Sequence, residues 1–337
     1  MNELENFKKN HRFVVDSLGR RIDYLRLSVT DRCNLRCVYC LPADGYRFKD
    51  SIEILNDEEI LRLIRIASQM GISKVRVTGG EPLVRPGVVD LIRQLIEIPG
   101  IADVSLSTNG VLFSGMYRGL WSAGLRRVNI SLDTLNEQKF KTITRYGNIE
   151  DVFQGLRGAL EIGFDPVKIN VVVMRGTNDD EISDFVALTR NLPVHVRFIE
   201  LMPIGETGFF SRATWVSLND IKAACGELEL LPPDECPKGW GPALYYKAPG
   251  SLGSVGFISA LSCNFCNRCN RLRLTSSGNL HPCLASDLNV DLGKAMRNGA
   301  SDREIQGLIE KAVLIKPERH HMEAGMVREA FMCSLGG

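Results

Sequence analysis

The stretch DYLRLSVTDRCNLRCVYCLP, residues 23–42, places three cysteines directly after a predominantly apolar run. The run from Tyr24 to Thr30 has the aliphatic and aromatic composition of a buried strand. Cys33, Cys37 and Cys40 follow with the spacing C-x3-C-x2-C. The sequence therefore predicts a strand that ends in a loop rich in metal-binding side chains.

The alternation of strand and helix continues from this stretch to about residue 200. β-branched runs predict five more strands, and stretches of helical period fill the gaps between them. The predicted strands are Tyr24–Thr30, Lys74–Thr78, Asp103–Thr108, Arg127–Leu132, Val167–Val173 and Val194–Glu200. The predicted helices are Asp57–Met70, Val88–Ile98, Asp151–Ile162 and Asp180–Asn191. This pattern indicates six successive βα units.

Six βα units are compatible with a doubly wound sheet or with an incomplete barrel. Polar residues such as Ser131 and Glu200 end several predicted strands, so one rim collects polar groups from many strands, as in barrel enzymes. We therefore expect an α/β fold with an incomplete (βα)6 TIM-like barrel over residues 1–205. The alternation of strand and helix patterns ends in the Pro- and Gly-rich stretch 231–256. We expect residues 206–337 to form a C-terminal subdomain.

Composition excludes several classes of protein. The 337 residues are 44% hydrophobic and 24% charged, which excludes disorder as the main state. The net charge of +1 provides no global field for nucleic acid or an anionic membrane. The N-terminal stretch lacks the apolar core of a signal peptide, and we expect a cytoplasmic protein without nucleic-acid or membrane partners. Cysteines stay reduced there, and clustered ones more often hold metal than form disulfides.

The first cysteine triad leaves one position on a metal centre open. Structural zinc takes four closed ligands, and a 4Fe-4S cluster normally takes four cysteines. Since no fourth Cys or His lies nearby in the sequence, the triad indicates an iron that is kept open for a ligand or substrate. Zinc with a remote fourth ligand is the alternative.

The turn Gly79-Gly80-Glu81-Pro82 follows the second predicted strand and adds another signal. Glycines permit the close backbone approach that a ligand contact needs, although a lone Gly-Gly pair is also common in tight βα turns. Together with the triad, this turn resembles the radical S-adenosylmethionine (SAM) superfamily. The resemblance implies a 4Fe-4S cluster on Cys33, Cys37 and Cys40 that binds SAM.

A second cysteine group lies in LSCNFCNRCNRLRLTSSGNLHPCL, residues 261–284. Its four cysteines could close a structural zinc site. Alternatively, Cys266, Cys269 and Cys283 could hold a second cluster, with Cys263 unused.

Three arginines, Arg268, Arg271 and Arg273, accompany the second group. Arg271 and Arg273 alternate along a predicted strand and so face the same side. Two guanidiniums on one face suggest phosphate capture, whereas a solvated strand face is the alternative.

Motifs spread over nearly the whole chain closely resemble the GTP 3′,8-cyclases of molybdenum cofactor biosynthesis, a family within the radical SAM superfamily. They are DYLRLSVTDRCNLRCVYCLP, KVRVTGGEPLVR, STNG, VNISLD, VRFIELMP, FCNRCNRLRLTSSGNLHPCL and the terminal Gly336-Gly337. The chain departs from the family at Leu41, where Met is usual, and at Cys263, which precedes the expected second triad.

The resemblance implies a lyase with two 4Fe-4S clusters. SAM would be cleaved to methionine and a 5′-deoxyadenosyl radical, which removes hydrogen from C3′ of GTP. The C3′ radical would attack C8 to give 3′,8-cyclo-7,8-dihydro-GTP. The second cluster would hold the guanine base, and the Gly336-Gly337 tail would insert into the active site and be needed for turnover. An external electron donor, a downstream cyclic pyranopterin monophosphate synthase, and a monomer or homodimer are also expected.

The resemblance further implies the site residues. The metal ligands would be Cys33, Cys37, Cys40, Cys266, Cys269 and Cys283. SAM would contact Tyr39, Gly80, Ser131 and Met202. GTP would contact Arg26, Arg76, Ser107, Lys168, Arg271, Leu272 and Arg273, with Lys74 and Arg197 as helpers. Arg271 and Arg273 would be the catalytic residues. Cations on four different strands are expected to point into the barrel: Arg26, Arg76, Lys168 and Arg197.

The other cysteines and the histidines receive no chemical role. We expect structural thiols at Cys225, Cys236 and Cys333, and ordinary surface or supporting residues at His195, His281, His320 and His321. Two other functions fit part of the pattern, namely a different two-cluster radical enzyme and a non-enzymatic iron-sulfur or zinc protein. The double glycine disfavours the first, and a pure carrier needs neither an open iron nor a cation-lined barrel.

Overall fold

Strands and helices alternate through most of the described chain. A computed structural model describes residues 13–44, 46–50, 53–205, 207–320, 322 and 330–336. Its strands are β1 (Val14–Val15), β2 (Arg21–Ile22), β3 (Tyr24–Ser28), β4 (Lys74–Thr78), β5 (Asp103–Thr108), β6 (Val128–Ser131), β7 (Val167–Val173), β8 (Val194–Glu200), β9 (Glu229–Leu230), β10 (Leu244–Lys247), β11 (Ser254–Ile258), β12 (Arg271–Leu274), β13 (Asn279–His281) and β14 (Val290–Asp291). Its helices are α1 (Asp57–Gln69), α2 (Val88–Glu97), α3 (Tyr117–Ser122), α4 (Glu137–Thr144), α5 (Ile149–Ile162), α6 (Ile182–Asn191), α7 (Leu218–Ala224), α8 (Leu292–Arg297), α9 (Asp302–Leu314) and α10 (Met332–Leu335).

The six strands β3 to β8 stand side by side in chain order, each parallel to the next. A doubly wound sheet would reverse the order at a switch point, whereas a barrel keeps it sequential. The predicted barrel arrangement is therefore confirmed. Four of these six strands begin and end at the predicted residues. The other two, β3 and β6, are each two residues shorter than predicted.

Strands from the C-terminal part continue the same sheet. β11 pairs in parallel with β8, and β12 pairs in parallel with β3. Eight parallel strands thus lie in the order β12-β3-β4-β5-β6-β7-β8-β11, and β9, β10, β13 and β14 add antiparallel strands outside them. The chain between β11 and β12 crosses from one edge of the parallel strands to the other, so the sheet spans the predicted boundary at residues 205 and 206.

The helices begin and end at residues with capping chemistry. Asn56 caps α1 and forms a reciprocal capping box with Glu59. Gly163 ends α5 at a φ of 100°, which favours glycine. α6 begins at Ile182, two residues later than predicted, because residues 179–181 form a 3-10 turn. No helix in the described ranges is long and apolar enough to cross a membrane.

Candidate active site

The two cysteine groups lie at opposite ends of the parallel strands. Cys33, Cys37 and Cys40 follow the carboxyl end of β3. Cys269 precedes the amino end of β12, where Arg271 pairs with Tyr24 at the start of β3. A molecule lying along the strands can therefore approach both groups.

A cavity of about 280 Å³ lies between the two ends. Its wall contains the first cysteine triad, five arginines and two side chains that adjoin the second group. These residues are Cys33, Cys37, Cys40, Arg26, Arg76, Arg197, Arg271, Arg273, Phe265 and Leu284. The wall also contains predicted site residues Tyr39, Gly80, Ser107, Ser131 and Met202. The predicted SAM contacts and five of the seven predicted GTP contacts are thus brought together.

The Gly-Gly turn packs directly against the backbone that carries the first cysteines. The Gly80 N–H donates to the Thr30 carbonyl at 2.8 Å. A Cβ atom at Gly80 would lie 2.4 Å from the Arg32 carbonyl oxygen and 2.6 Å from that of Asp31. Only glycine allows this approach, so the missing side chain at Gly80 fixes the turn against the backbone of the cysteine loop.

Glu81 joins the turn to the end of β5. Its carboxylate accepts hydrogen bonds from the Leu83 N–H at 3.0 Å, the Thr108 hydroxyl at 2.8 Å and the Asn109 N–H at 2.7 Å. Burial raises the pKa of Glu81 to about 7, although these hydrogen bonds lower it. The Asn109 amide donates in turn to Asn34 in the cysteine loop at 2.8 Å. The carboxylate therefore positions the turn relative to the first cysteine group.

Asp133, which follows β6, orients Tyr39 inside the cysteine loop. The Tyr39 hydroxyl donates to one Asp133 oxygen at 2.7 Å, and the Val172 N–H donates to the other at 2.8 Å. Burial raises the pKa of Asp133 to about 6, against the lowering effect of these hydrogen bonds. The predicted SAM contact Tyr39 is therefore held by Asp133, which the sequence places among the polar residues at the strand ends without indicating this contact.

The first triad fits a metal cluster. Burial raises the pKa of the Cys33 thiol to about 11 and those of Cys37 and Cys40 well above their ordinary value. The thiolates would repel one another, since Cys33 raises the pKa of both other thiols. A metal centre bound at this wall would replace the protons and compensate that repulsion.

Three arginines in the wall have no carboxylate partner among the residues that the structure describes, although buried cations usually have one. Arg26, Arg76 and Arg197 form no ion pair with a carboxylate in the described part of the chain. Burial lowers the pKa of Arg26 well below its usual range, and the neighbouring guanidiniums of Arg273, Arg76 and Arg271 lower it further. Such a concentration of buried positive charge fits a polyanionic ligand.

The C-terminal tail contacts two of these arginines, Arg26 and Arg273. The Gly336 carbonyl accepts hydrogen bonds from the Arg26 Nη2 at 3.1 Å, the Thr78 hydroxyl at 3.0 Å and the Arg273 Nη1 at 3.5 Å. Gly337 lies outside the described residues. The position of Gly336 agrees with the expected insertion of the tail.

Two predicted GTP contacts lie outside the cavity wall. The Lys168 ammonium donates to the Lys238 carbonyl at 2.6 Å, and burial together with the charge of Arg197 lowers its pKa to about 6. The Leu272 side chain is buried in the apolar core, because it alternates with the flanking arginines of β12. Lys74, predicted as a helper, pairs with Asp23 at 2.7 Å.

The second triad gathers around Lys316. The Lys316 ammonium donates to the Pro282 carbonyl at 2.5 Å and to the Arg271 carbonyl at 2.9 Å. Burial raises the pKa of the Cys269 thiol, but the charges of Arg271 and Lys316 outweigh it and lower the pKa to about 7. A thiol that ionises easily is a good metal ligand.

Burial raises the pKa of Cys266, and the charges of the Cys283 and Cys269 thiols raise it further. Cys263 and Arg268 are exposed. Within the described residues, no three His, Cys, Asp or Glu side chains are arranged to hold one metal ion. Thiolates on different irons of one cluster stand farther apart than ligands of a single ion.

Several residues of the site had no sequence signal of their own. Tyr24 accepts from the Arg76 Nε at 2.5 Å. The side-chain Oδ1 of Asn170 is buried at the cavity wall and has no hydrogen-bond partner among the described residues. His195, expected as a supporting residue, hydrogen-bonds the Ser254 hydroxyl at 2.8 Å. His321 lies outside the described residues. Asn170 could have been suggested by its spacing from Lys168, since the two face the same side of β7.

Comparison with known families covers nearly the whole chain. Residues 27–189 match the Radical SAM superfamily, and residues 194–322 match the family described as Molybdenum Cofactor Synthesis C. The chain is 50% identical to the GTP 3′,8-cyclase of Heliobacterium modesticaldum over 327 residues, which are 96% of this chain and 100% of the relative. It is 48% identical to the GTP 3′,8-cyclase of Pelotomaculum thermopropionicum, over 96% of this chain and 99% of the relative.

Solved structures show the same fold at low sequence identity. Streptococcus suis SuiB bound to precursor peptide SuiA superposes with a TM-score of 0.62 at 13% identity, over 95% of this chain and 79% of SuiB. SuiB bound to S-adenosylmethionine gives a TM-score of 0.60 at 14% identity, over 90% of this chain and 70% of SuiB. With half of its residues shared over the full length of the curated relatives, the chain belongs to the GTP 3′,8-cyclase family of the radical SAM superfamily.

Proposed function

We propose that this chain is a GTP 3′,8-cyclase that converts GTP to 3′,8-cyclo-7,8-dihydro-GTP, the first step of molybdenum cofactor biosynthesis. The observation that carries this proposal is a single cavity with a cysteine triad and five arginines in its wall. The near full-length similarity to curated cyclases supports it. A radical reaction on a nucleotide needs the metal-binding cysteines and the phosphate-binding arginines in one enclosed space.

Cys33, Cys37 and Cys40 would hold a 4Fe-4S cluster and leave one iron for SAM. When bound, the cluster and SAM supply the radical that removes hydrogen from C3′ of GTP. The residues proposed to contact SAM are Tyr39, Gly80, Ser131 and Met202. Tyr39 is oriented by Asp133, and Gly80 lies in the cavity wall packed against the backbone of the cysteine loop.

The arginines would bind the triphosphate. Arg26, Arg76, Arg271 and Arg273 project from three neighbouring strands into one cavity. Arg271 and Arg273 would act as catalytic residues by contact with the substrate, and Ser107 adds a hydroxyl near Arg76, at 3.5 Å from its Nη1. The side-chain Oδ1 of Asn170 would accept from a donor group of the nucleotide. Lys168 and Leu272 stay predictions as substrate contacts.

A second 4Fe-4S cluster is proposed on Cys266, Cys269 and Cys283. Phe265 and Leu284 connect this triad with the cavity. Three thiolates leave one iron open, on which the guanine base would be held. Lys316 would offset the negative charge of the thiolates.

The proposed setting is cytoplasmic. An external donor would supply the electrons, and a cyclic pyranopterin monophosphate synthase would use the product. We expect no nucleic-acid or membrane partner, and a monomer or homodimer.

The test is an anaerobic reaction with GTP, SAM and a chemical reductant. We expect mass spectrometry to detect 5′-deoxyadenosine and a cyclised isomer of GTP, both dependent on GTP. Cleavage of SAM that is indifferent to GTP, or the absence of a cyclised product, would contradict the proposal.

A matched pair of variants tests the arginine site. Arg26→Gln should weaken GTP binding at least about tenfold, because charge-assisted contacts to phosphate contribute about 1.5–3 kcal/mol. Arg62→Gln changes an arginine on the outer surface, where it pairs with Asp302 at 2.8 Å, and should bind GTP normally. Equal GTP affinity in the two variants would contradict the proposal that the triphosphate binds at this wall.

A further inference from the structure

The first cysteine triad has a fourth thiol beside it. Cys333, expected from the sequence to be a structural thiol, lies in the cavity wall together with Cys33, Cys37 and Cys40. After burial, the charge of Cys333 contributes most to the raised pKa of the Cys40 thiol, ahead of Cys37 and Cys33. Four thiols from chain segments about 300 residues apart therefore face one space.

The tail that carries Cys333 is held on both sides of it. Phe331 packs edge-on against Tyr46 with ring centroids 5.2 Å apart, and an added Cβ at Gly205 would lie 3.1 Å from the Phe331 ring. On the other side, Leu335 is buried and the Gly336 carbonyl is bound by Arg26 and Thr78. These contacts fix α10, so the place of Cys333 beside the triad is set by packing on either side.

Burial dominates the surroundings of Cys333. It raises the pKa of this thiol to about 12, and the charges of Asp31 and Cys33 raise it further, although the Tyr46 hydroxyl lowers it. An iron that binds the sulfur would replace the proton, as at the other three cysteines. The side chain is only 2% exposed, so water does not compete for it. A three-cysteine cluster has one open iron, and an accessible open iron is readily lost on oxidation.

We propose that Cys333 supplies a fourth thiolate to the first cluster when SAM is absent, so that the tail covers the open iron until SAM displaces it. The inference rests on the proposed cluster at Cys33, Cys37 and Cys40. The Cys333 thiol releases its proton to solvent as one iron–sulfur bond forms. SAM breaks that bond when its amino and carboxylate groups bind, and the thiolate takes up a proton. No electron is transferred.

The test measures how easily each cluster loses its open iron. Reconstituted protein without SAM is oxidised briefly with ferricyanide, and the three-iron clusters that result are counted by electron paramagnetic resonance. In the wild type only the second cluster should be converted, whereas in Cys333→Ala both should be. The expected signal in Cys333→Ala is therefore about twice that of the wild type.

Ser334→Ala is the matched control, because Ser334 neighbours Cys333 in α10 and its hydroxyl donates to the Phe331 carbonyl at 2.7 Å. It should behave as the wild type. Prior addition of SAM should abolish the difference between Cys333→Ala and the wild type. Equal signals without SAM in all three proteins would overturn the proposal.

The readout separates this inference from the proposed function. If about eight irons per chain and GTP-dependent SAM cleavage are found but the three signals are equal, only the role of Cys333 fails. If the triad at Cys33, Cys37 and Cys40 binds no four-iron cluster, the proposed function itself is contradicted, and the role of Cys333 is contradicted with it.

Discussion

Gly80 lies where the second βα turn meets the cysteine loop, and its missing side chain is a packing requirement. In Gly80→Ala, the new methyl would lie 2.4 Å from the Arg32 carbonyl and would push the loop that carries the triad. Such overpacking costs about 1–3 kcal/mol. We expect SAM binding, measured by equilibrium dialysis of the reconstituted protein, to weaken by about ten- to a hundredfold.

Gly115→Ala is the control for this substitution, because a Cβ there meets no atom within 4 Å. It should bind SAM as the wild type does. Unchanged affinity in Gly80→Ala would mean that the turn yields without moving the cysteine loop, and would contradict the proposed contact between Gly80 and SAM.

Cys263 is the one cysteine of the second group that the structure separates from the rest. It is exposed, whereas Cys266 is buried beside Cys269 and Cys283. We expect Cys263→Ala to retain about eight irons per chain and its activity, and Cys266→Ala to retain about four. Iron and sulfide analysis after anaerobic reconstitution checks this. Loss of four irons in Cys263→Ala would assign that residue to the cluster.

Among the elements, β8 positions the loop of the second cysteine group through its last residue. The buried Glu200 carboxylate accepts from the Leu261 N–H at 2.8 Å, the Ser262 N–H at 3.0 Å and the Ser259 hydroxyl at 3.1 Å. It also accepts from the Leu218 N–H at 3.1 Å. One carboxylate therefore ties two segments to the end of the strand.

In Glu200→Gln, an NH2 group replaces one acceptor oxygen and then faces N–H and O–H groups that donated to the carboxylate. We expect the free energy of unfolding to fall by about 1–3 kcal/mol, because buried donors lose their partner. The second cluster should also lose iron faster to a chelator than the first. Glu161→Gln, at an exposed position of α5, should change neither quantity. Denaturant unfolding and timed iron release provide the measurements. Equal iron release from the two variants would contradict the role of Glu200 in positioning the loop of the second cysteine group.

The accuracy of prediction differed between elements for a physical reason. The strands β4, β7 and β8 are rich in β-branched residues and are largely buried, so local sequence alone marks them. β12 has only four residues, and its pairing with β3 joins segments nearly 250 positions apart. Long-range pairing of short strands depends on packing that periodicity does not record. The same limit applies to the site: cysteine spacing is local, but Lys316, Asn170 and Cys333 reach it through tertiary contacts.

For the whole molecule, one sheet continues across the predicted division at residue 205. β11 covers the edge of β8, and β12 covers the edge of β3. Without them, both edges of the parallel strands would expose unpaired N–H and C=O groups. The wall of the cavity would also lose Arg271 and Arg273, so neither part contains the complete site.

We therefore expect residues 1–205 alone not to fold cooperatively. The isolated fragment should aggregate or lack a cooperative thermal transition by circular dichroism, because parallel strands are stable only when their edges and faces are covered. Co-expression with residues 206–337 should restore a soluble complex, since β11 and β12 can then pair across the cut. The full chain serves as the reference for the transition. A soluble fragment 1–205 with its own sharp transition would instead establish residues 1–205 and 206–337 as independent domains, and the parallel pairing of β11 and β12 would then be a docking contact between them.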